Sequence, residues 1–275
     1  MWTTSTSSPA VSWSTGKPII EALHAFRRHH PVSRVFDPFL SSGVTRRAFS
    51  SGQVIVRLWN PRDYALGGYR RVDDRPFGGG PGMVMMAEPL RLCLQAIRAD
   101  RGQSREQAPL LLFSPTGEVL QHDRVAQLAA GDGAVLLCGR YEGIDQRFIE
   151  RYVDGQISLG DFVLSGGEIA ALAVLDAVTR LLPGVLHDEA SPQLDSFHPA
   201  LDGLLDCPHY TRPDTWEGEG VPTALMSGHH AQIERWRRDQ RLLLTARERP
   251  DLLAAARAQG RLDEADERVL QSGRP

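Results

Sequence analysis

A chain of 275 residues, 41% of them hydrophobic and 24% charged, is long enough for one large core and a smaller second unit, and too apolar to be a disordered polymer. No apolar run approaches the ~18 residues of a membrane span, and the Ser/Thr-rich start lacks the apolar centre of a secretory leader, so a cytoplasmic protein is expected. The formal net charge of −3 excludes a protein that coats nucleic acid indiscriminately but leaves room for a local basic patch.

In chain order, residues 1–18 carry Ser, Thr, Gly and Pro without apolar periodicity and read as a loose tail. Val54 to Trp59 reads as a strand, followed by a long loop rich in turn residues up to Gly82. From Glu88 to Asp100 the spacing puts Leu90, Leu94 and Ile97 on one helical face, with Pro89 tolerated in the first turn. Pro109 to Phe113 reads as a buried strand ended by the turn Ser114-Pro115-Thr116-Gly117, Asp123 to Ala130 as a short helix, and Ala134 to Cys138 as a second buried strand ending at Gly139. Strands alternating with helices predict an α/β fold whose parallel sheet is covered on both faces. Ligands of such sheets bind beyond the carboxyl ends of the strands, where Ser114 and Gly139 fall. Glu168 to Leu182 is apolar almost all round and predicts a buried helix stopped by Pro183-Gly184. Residues 187–205 form a polar connection, and a small helix-rich domain is expected from 206 to 275.

Three glycine-rich turns stand out: 78–82, Gly139 to Gly143, and Ser165-Gly166-Gly167. None is a P-loop or a dinucleotide fingerprint, and glycine most often marks a turn needing positive φ. Placed at strand ends, they suit a nucleoside whose flat base lies against bare backbone. Charged residues are interleaved with them, among them Asp73, Glu142 and Asp161. Arg180 closes an otherwise apolar segment and needs a partner; Asp176, one turn earlier, is one candidate. Asp206, in DCPHYTRP, could cap a turn as well as do chemistry. Cys93, Cys138 and Cys207 form no C-x-x-C pair, and His229-His230 has no further ligand at a metal spacing, so no metal site is expected. Lys17 is the only lysine among 31 basic residues. Between Glu234 and Arg249, six arginines outnumber three acids around Trp236, a stretch that could grip phosphates.

The segments GVTRRAF (43–49), WNPRDY (59–64), VDDRPFGGGPGMVMMAEPL (72–90), LCGRYEGIDQR (137–147), SLGDFVLSGGE (158–168), GLLDCPHYTRP (203–213) and SGHHAQIERWRR (227–238) together resemble the bacterial tRNA (guanine-N1)-methyltransferases of the TrmD type, in the SPOUT class. The resemblance implies a SPOUT-type parallel sheet with a deep trefoil knot over 36–186, a linker over 187–205, a small helical tRNA-binding domain over 206–275, and a homodimer with active sites at the subunit interface. It implies methyl transfer from S-adenosylmethionine to N1 of the guanosine just 3′ of the anticodon, and gives no reading on Mg²⁺. By residue-wise carry-over, Ser114, Pro115, Gly139, Tyr141, Leu159, Gly160, Asp161, Phe162, Val163, Leu164, Gly166 and Gly167 would hold the cofactor. Asp206 would be the general base, Arg180 its catalytic partner at the guanine, and Asp73 and Glu142 substrate contacts.

The match fails at two places. The family's first strand has no counterpart in FRRHHPVSRVFDPFL (26–40), which is too polar for a central strand, so residues 1–35 are expected to be a divergent, disordered segment foreign to the fold. After Arg241 the chain becomes less basic than the family. A knotted methyltransferase acting on a ribose hydroxyl and a non-catalytic RNA-binding protein of the same fold are the alternative readings.

Overall fold

The computed structural model describes residues 19–24, 35–101, 108–188 and 191–273. They divide into two compact units, the first ending at Val185 and the second starting at Leu186.

The first unit is built on a five-stranded parallel sheet of order β2-β1-β6-β5-β7. Its strands are β1 (Ile19–His24), β2 (Ile55–Trp59), β5 (Leu110–Val119), β6 (Gly133–Cys138) and β7 (Gly155–Ser158). Successive side chains of a strand point to opposite faces, and the two cores follow that alternation. On one face Leu110, Leu112, Val135 and Leu137 meet Leu90, Leu94 and Ile97 of α3 (Ala87–Arg101) and Phe148 of α5 (Gln146–Tyr152). On the other, Leu111, Ala134, Leu136 and Cys138 meet Ala171 and Leu175 of α6 (Glu168–Thr179), with Phe36 of α1 (Phe36–Ser41) and Ala48 of α2 (Arg46–Ser50). Both faces are covered, which is why β6 reads as an unbroken apolar run. A short ribbon, β3 (Asp73–Asp74) against β4 (Val84–Met85), lies within the long loop, and α4 (His122–Ala130) precedes β6.

Three expectations change. Ile19–His24 lies within the segment placed outside the fold, yet it forms β1 between β2 and β6, with Ile19 opposite both Ile55 and Gly133 and Ile20 buried. The strand lies upstream of the polar stretch, in IIEALH; the tail 1–18 and residues 25–34 of the divergent segment fall outside the described residues. Residues 114–117 do not end β5. They leave its ladder and let it resume, since Phe113 and Glu118 both pair with Ile157. Gly117 permits this because a Cβ there would lie 2.5 Å from the Ile157 amide nitrogen. Finally, α6 is covered along one side only, with Ile169 exposed.

The second unit contains the hairpin β8 (Thr215–Trp216) and β9 (Glu219–Gly220), and helices α7 (Thr223–Met226), α8 (His230–Glu248), α9 (Pro250–Ala258) and α10 (Glu264–Ser272). Its apolar core is small: Leu204, Leu242, Leu253 and Ala256. Ion pairing supplements it. Asp266 closes a capping box with Asp263 at the start of α10 and, 2% exposed, accepts from Arg238 Nη2 at 2.8 Å. Arg238 also reaches Asp202 at 2.5 Å and the Arg261 carbonyl at 3.2 Å. Burial raises the Asp266 pKa, but the Arg238 hydrogen bond and the Asp263 amide outweigh it and hold the carboxyl below its usual range. A carboxyl depressed in the folded state stabilises above its unfolded pKa and loses that contribution as pH falls through the folded one. Arg238→Met should therefore cost about 3 kcal/mol at neutral pH, and the deficit in denaturant midpoint against the parent should shrink as pH falls through the depressed folded-state pKa of Asp266 and its carboxyl becomes protonated in both. A deficit that stays the same from neutral pH down to the pH at which Asp266 is protonated would show that packing, not charge, supplies Arg238's contribution.

Candidate active site

Where β5 leaves its ladder after Phe113, and beyond the carboxyl ends of β6 and β7, lies a cleft of about 320 Å³, within the range of small-molecule sites. Leu112, Ile144, Ile149, Ile157 and Ala170 supply apolar wall, and the turns 113–115, 139–144 and 158–167 supply bare backbone. Close approach forces glycine at one point: a Cβ on Gly167 would sit 2.7 Å from Cys138 Cα, and the Gly167 N–H donates to the Gly139 carbonyl at 3.0 Å. At Gly166 a Cβ would collide with the Glu168 carboxylate. Ser158 Oγ accepts from the Gly160 N–H at 3.1 Å and donates to its carbonyl at 3.2 Å, which shapes the turn leaving β7.

Among the residues expected to hold a cofactor, Ser114, Pro115, Gly139, Tyr141, Leu159, Gly160, Phe162, Val163, Leu164, Gly166 and Gly167 line this cleft. Asp161 does not; it is exposed on the same loop. Glu142 lines the cleft too, its N–H bonded to the Met83 carbonyl at 3.0 Å. Asp73, on β3, is held at 3.3 Å by Arg62 Nη2. Arg180 caps the carboxyl end of α6, half-buried rather than buried, its N–H donating to the Asp176 carbonyl at 3.1 Å. Beneath the cleft, Arg140 Nε donates to Glu168 Oε1 at 3.0 Å, with the Glu168 side chain 4% exposed. Burial pushes the Cys138 thiol well above its ordinary pKa, with the Glu168 charge adding to it, so this cysteine is an inert packing group.

Asp206 belongs to the second unit. Its Oδ1 accepts from the Cys207 N–H at 2.7 Å and from Arg241 Nε at 3.4 Å, its Oδ2 from His209 Nε2 at 2.9 Å, and its own N–H donates to Ser196 Oγ at 2.9 Å. Burial raises its pKa; those three donors outweigh it and leave the carboxyl below its usual range. The neighbouring Leu205 N–H donates to the buried Thr245 Oγ1 at 3.0 Å, so α8 grips the whole segment.

The arginine-rich stretch is not the free positive surface that its composition suggests. Arg235 pairs with Asp239 and Asp266, Arg237 with Glu234, Arg238 with Asp202 and Asp266, Arg241 with Asp206, Arg247 with Glu248 and Arg249 with Asp251. Several of those acids lie outside the stretch, so a local charge count could not find them. Arg62, Arg140, Glu168, His209 and Arg241 are further site residues that sequence patterns alone leave unassigned. The first four lie within the segments 59–64, 137–147, 158–168 and 203–213, which by themselves assign them no role.

The chain matches the family model described as tRNA (Guanine-1)-methyltransferase TrmD over residues 32–255. It is 73% identical over 237 residues to the tRNA (guanine-N(1)-)-methyltransferase of Paracidovorax citrulli, covering 86% of this chain and 93% of that one. The proteins of the same name from Polaromonas sp. and Albidiferax ferrireducens are 68% and 66% identical, each over 86% of this chain and over 92% and 95% of their own lengths.

Gly167→Ala should drive the 159–167 loop off the end of β6, because the added methyl meets backbone that cannot swing aside. The expected result is loss of ligand binding in the cleft together with a lower thermal midpoint; a variant that binds and melts like the parent would show that the loop has room to move.

Proposed function

This chain belongs to the tRNA (guanine-1)-methyltransferase family, and we propose how its own residues carry out methyl transfer to N1 of a guanine in tRNA. The target is proposed to be guanosine 37, next to the anticodon, and the donor S-adenosylmethionine. The observation that carries the reading is the cleft itself: apolar walls with exposed backbone edges, closed by glycines that leave no space for a Cβ. That lining fits an uncharged purine nucleoside and offers no lysine or P-loop for a phosphate chain.

When bound there, the sulfonium supplies a methyl group that is already electrophilic. The protein's remaining tasks are alignment and removal of the N1 proton. Ser114, Pro115, Gly139, Tyr141, Leu159, Gly160, Phe162, Val163, Leu164, Gly166 and Gly167, which line the cleft, would hold the donor, and the loop's packing against β6 supports a trefoil-knotted path. Arg180 is proposed to stabilise negative charge on guanine O6 as the proton leaves, with Asp73 and Glu142 contacting substrate. The exposed Phe162, Val163 and Ile169 near the cleft support burial of this face in a homodimer, which would let the second unit of one copy serve the cleft of the other. The second unit would hold the tRNA stem and loop. No described helix is long and apolar enough to cross a membrane, and a tRNA substrate supports a cytoplasmic location.

Asp206 is the proposed proton acceptor. A second reading has an observation in its favour: both Asp206 oxygens are already engaged and its pKa is depressed, which suits an anchor better than a base. Among other carboxylates of the connection, Asp195 is half-buried and directly precedes Ser196, whose Oγ accepts from the Asp206 N–H.

The test is labelled methyl transfer to tRNA transcripts with guanosine or adenosine at the target position. Label should appear at guanine N1 only in the first; label on ribose, or none at all, removes the reading. Under single-turnover conditions Asp206→Asn should slow the reaction by about 10² or more with donor affinity intact. If Asp195→Asn shows that loss and Asp206→Asn does not, the base is Asp195.

A further inference from the structure

We propose that Arg62 is a positioning residue that latches the outer wall of the cleft, an inference that rests on the methyltransferase reading above. Arg62 sits in a 3₁₀ turn (Pro61–Tyr64) whose first free N–H, its own, is capped by Asn60 Oδ1 at 3.1 Å. The turn is anchored by the buried Pro61, so the guanidinium projects from a fixed base. Its side chain is only 14% exposed. Nη1 donates to the Arg70 carbonyl at 3.0 Å, and Nη2 is shared between Asp73 Oδ1 at 3.3 Å and Tyr141 Oη at 3.5 Å.

One planar group thus joins three segments of the cleft's outer side. Asp73 stands opposite Met85 in the β3–β4 ribbon. That ribbon is bonded to the 139–145 turn by Met85 N–H to the Gly143 carbonyl and by Asp145 N–H to the Met85 carbonyl, each 2.9 Å, and by the Glu142 N–H to Met83. Ribbon and turn therefore move as one body. Tyr141 sits in that turn at φ 61°, a left-handed conformation that a tyrosine keeps only when its surroundings hold it. Arg140 clamps the inner side of the same turn through Glu168, and Arg62 clamps the outer side.

The choice of arginine is informative. Its Nε is buried without a hydrogen-bond partner among the described residues, an unfavourable state that is sustained only if the two terminal nitrogens gain more than the orphaned N–H loses. A lysine could follow the stem and pair with Asp73, but a single ammonium cannot span the Arg70 carbonyl, Asp73 and Tyr141 as the fork does. Without the latch, Tyr141 and Asp73 lose a common reference. The donor is then bound in a wider, less ordered mouth, and alignment suffers with affinity.

The experiment uses the full chain and compares Arg62→Met, Arg62→Lys, Tyr141→Phe and the double variant Arg62→Met/Tyr141→Phe. S-adenosylmethionine binding is read by calorimetry, kcat and KM for the donor with tRNA transcript, and folding by thermal unfolding. Arg62→Met should weaken donor binding and kcat/KM by about tenfold, Arg62→Lys should recover part of that, and the double variant should be little worse than Arg62→Met because both changes remove one interaction. Should Arg62→Met fold poorly, the lysine and phenylalanine variants carry the comparison. Donor affinity and kcat/KM within about twofold of the parent in the folded variants, or losses that simply add, overturn the latch. If the parent binds donor but leaves guanine unmethylated while Arg62→Met still weakens binding, the latch stands and the tRNA reading falls.

Discussion

The loop after β7 returns to touch the end of β6 so closely that no side chain fits between them, and most of the first unit depends on this contact. The Gly167 amide is bonded to the Gly139 carbonyl, and the space where a Cβ would project is filled by the Cys138 backbone. From that point α6 begins, carrying Glu168 into the interior at its amino end. A carboxylate there is favoured by the helix dipole, and it is further matched by Arg140, which leaves β6 on the other side of the contact. The backbone contact thus sets the cleft's floor, the helix that backs it and the ion pair that stiffens its turn. Bringing bare backbone to the ligand and bringing two chain segments together are here the same event.

The second unit meets a different problem. Its apolar core is too small to hold many helices by burial alone, and its arginines serve it as cross-links. Arg238 ties α8 to α10 and to the 3₁₀ turn at Pro199–Leu201 through Asp266 and Asp202, while Arg241 ties α8 to Asp206. Asp266 is held from two directions, by the cap and by the guanidinium, so its burial costs less than an isolated charge would. The consequence for RNA binding is physical. A phosphate approaching α8 must exchange with a carboxylate already in place, so these arginines add less counterion release than six free cations would.

What was legible in the sequence follows from the range of the forces. AVLLC at 134–138 announces a strand because both faces of a parallel sheet are dry, and Leu90, Leu94 and Ile97 announce a helix face because three-and-four spacing is local. The 114–117 excursion reads as a strand end, since Pro and Gly usually stop strands; only the return pairing with Ile157, some forty residues on, shows that the strand continues. IIEALH is missed because six residues next to a polar, histidine-rich stretch give little signal until β2 and β6 enclose them. The cleft residues were legible through resemblance, and their types alone showed only glycine turns. The role of Arg62 within WNPRDY was not legible, because the acceptors that define it stand 8, 11 and 79 residues away.

The position of Asp206 exposes a tension inherent in the proposed chemistry. Each donor that fixes a carboxylate also lowers its basicity, so the better it is held, the weaker the base it makes. Cys207, His209 and Arg241 hold Asp206 firmly and keep it ionised far below neutral pH. A weak base is tolerable in this reaction because the N1 proton becomes more acidic as the methyl bond forms, so transfer can come late. What the reaction does not tolerate is a displaced acceptor, since alignment supplies most of the rate. The grip of Thr245 and Arg241 on residues 205–206, and of Asp206 on Ser196, ties the connection to the second unit, and in the proposed chemistry it would fix the place at which an acidic side chain is offered to a guanine, whichever carboxylate takes the proton.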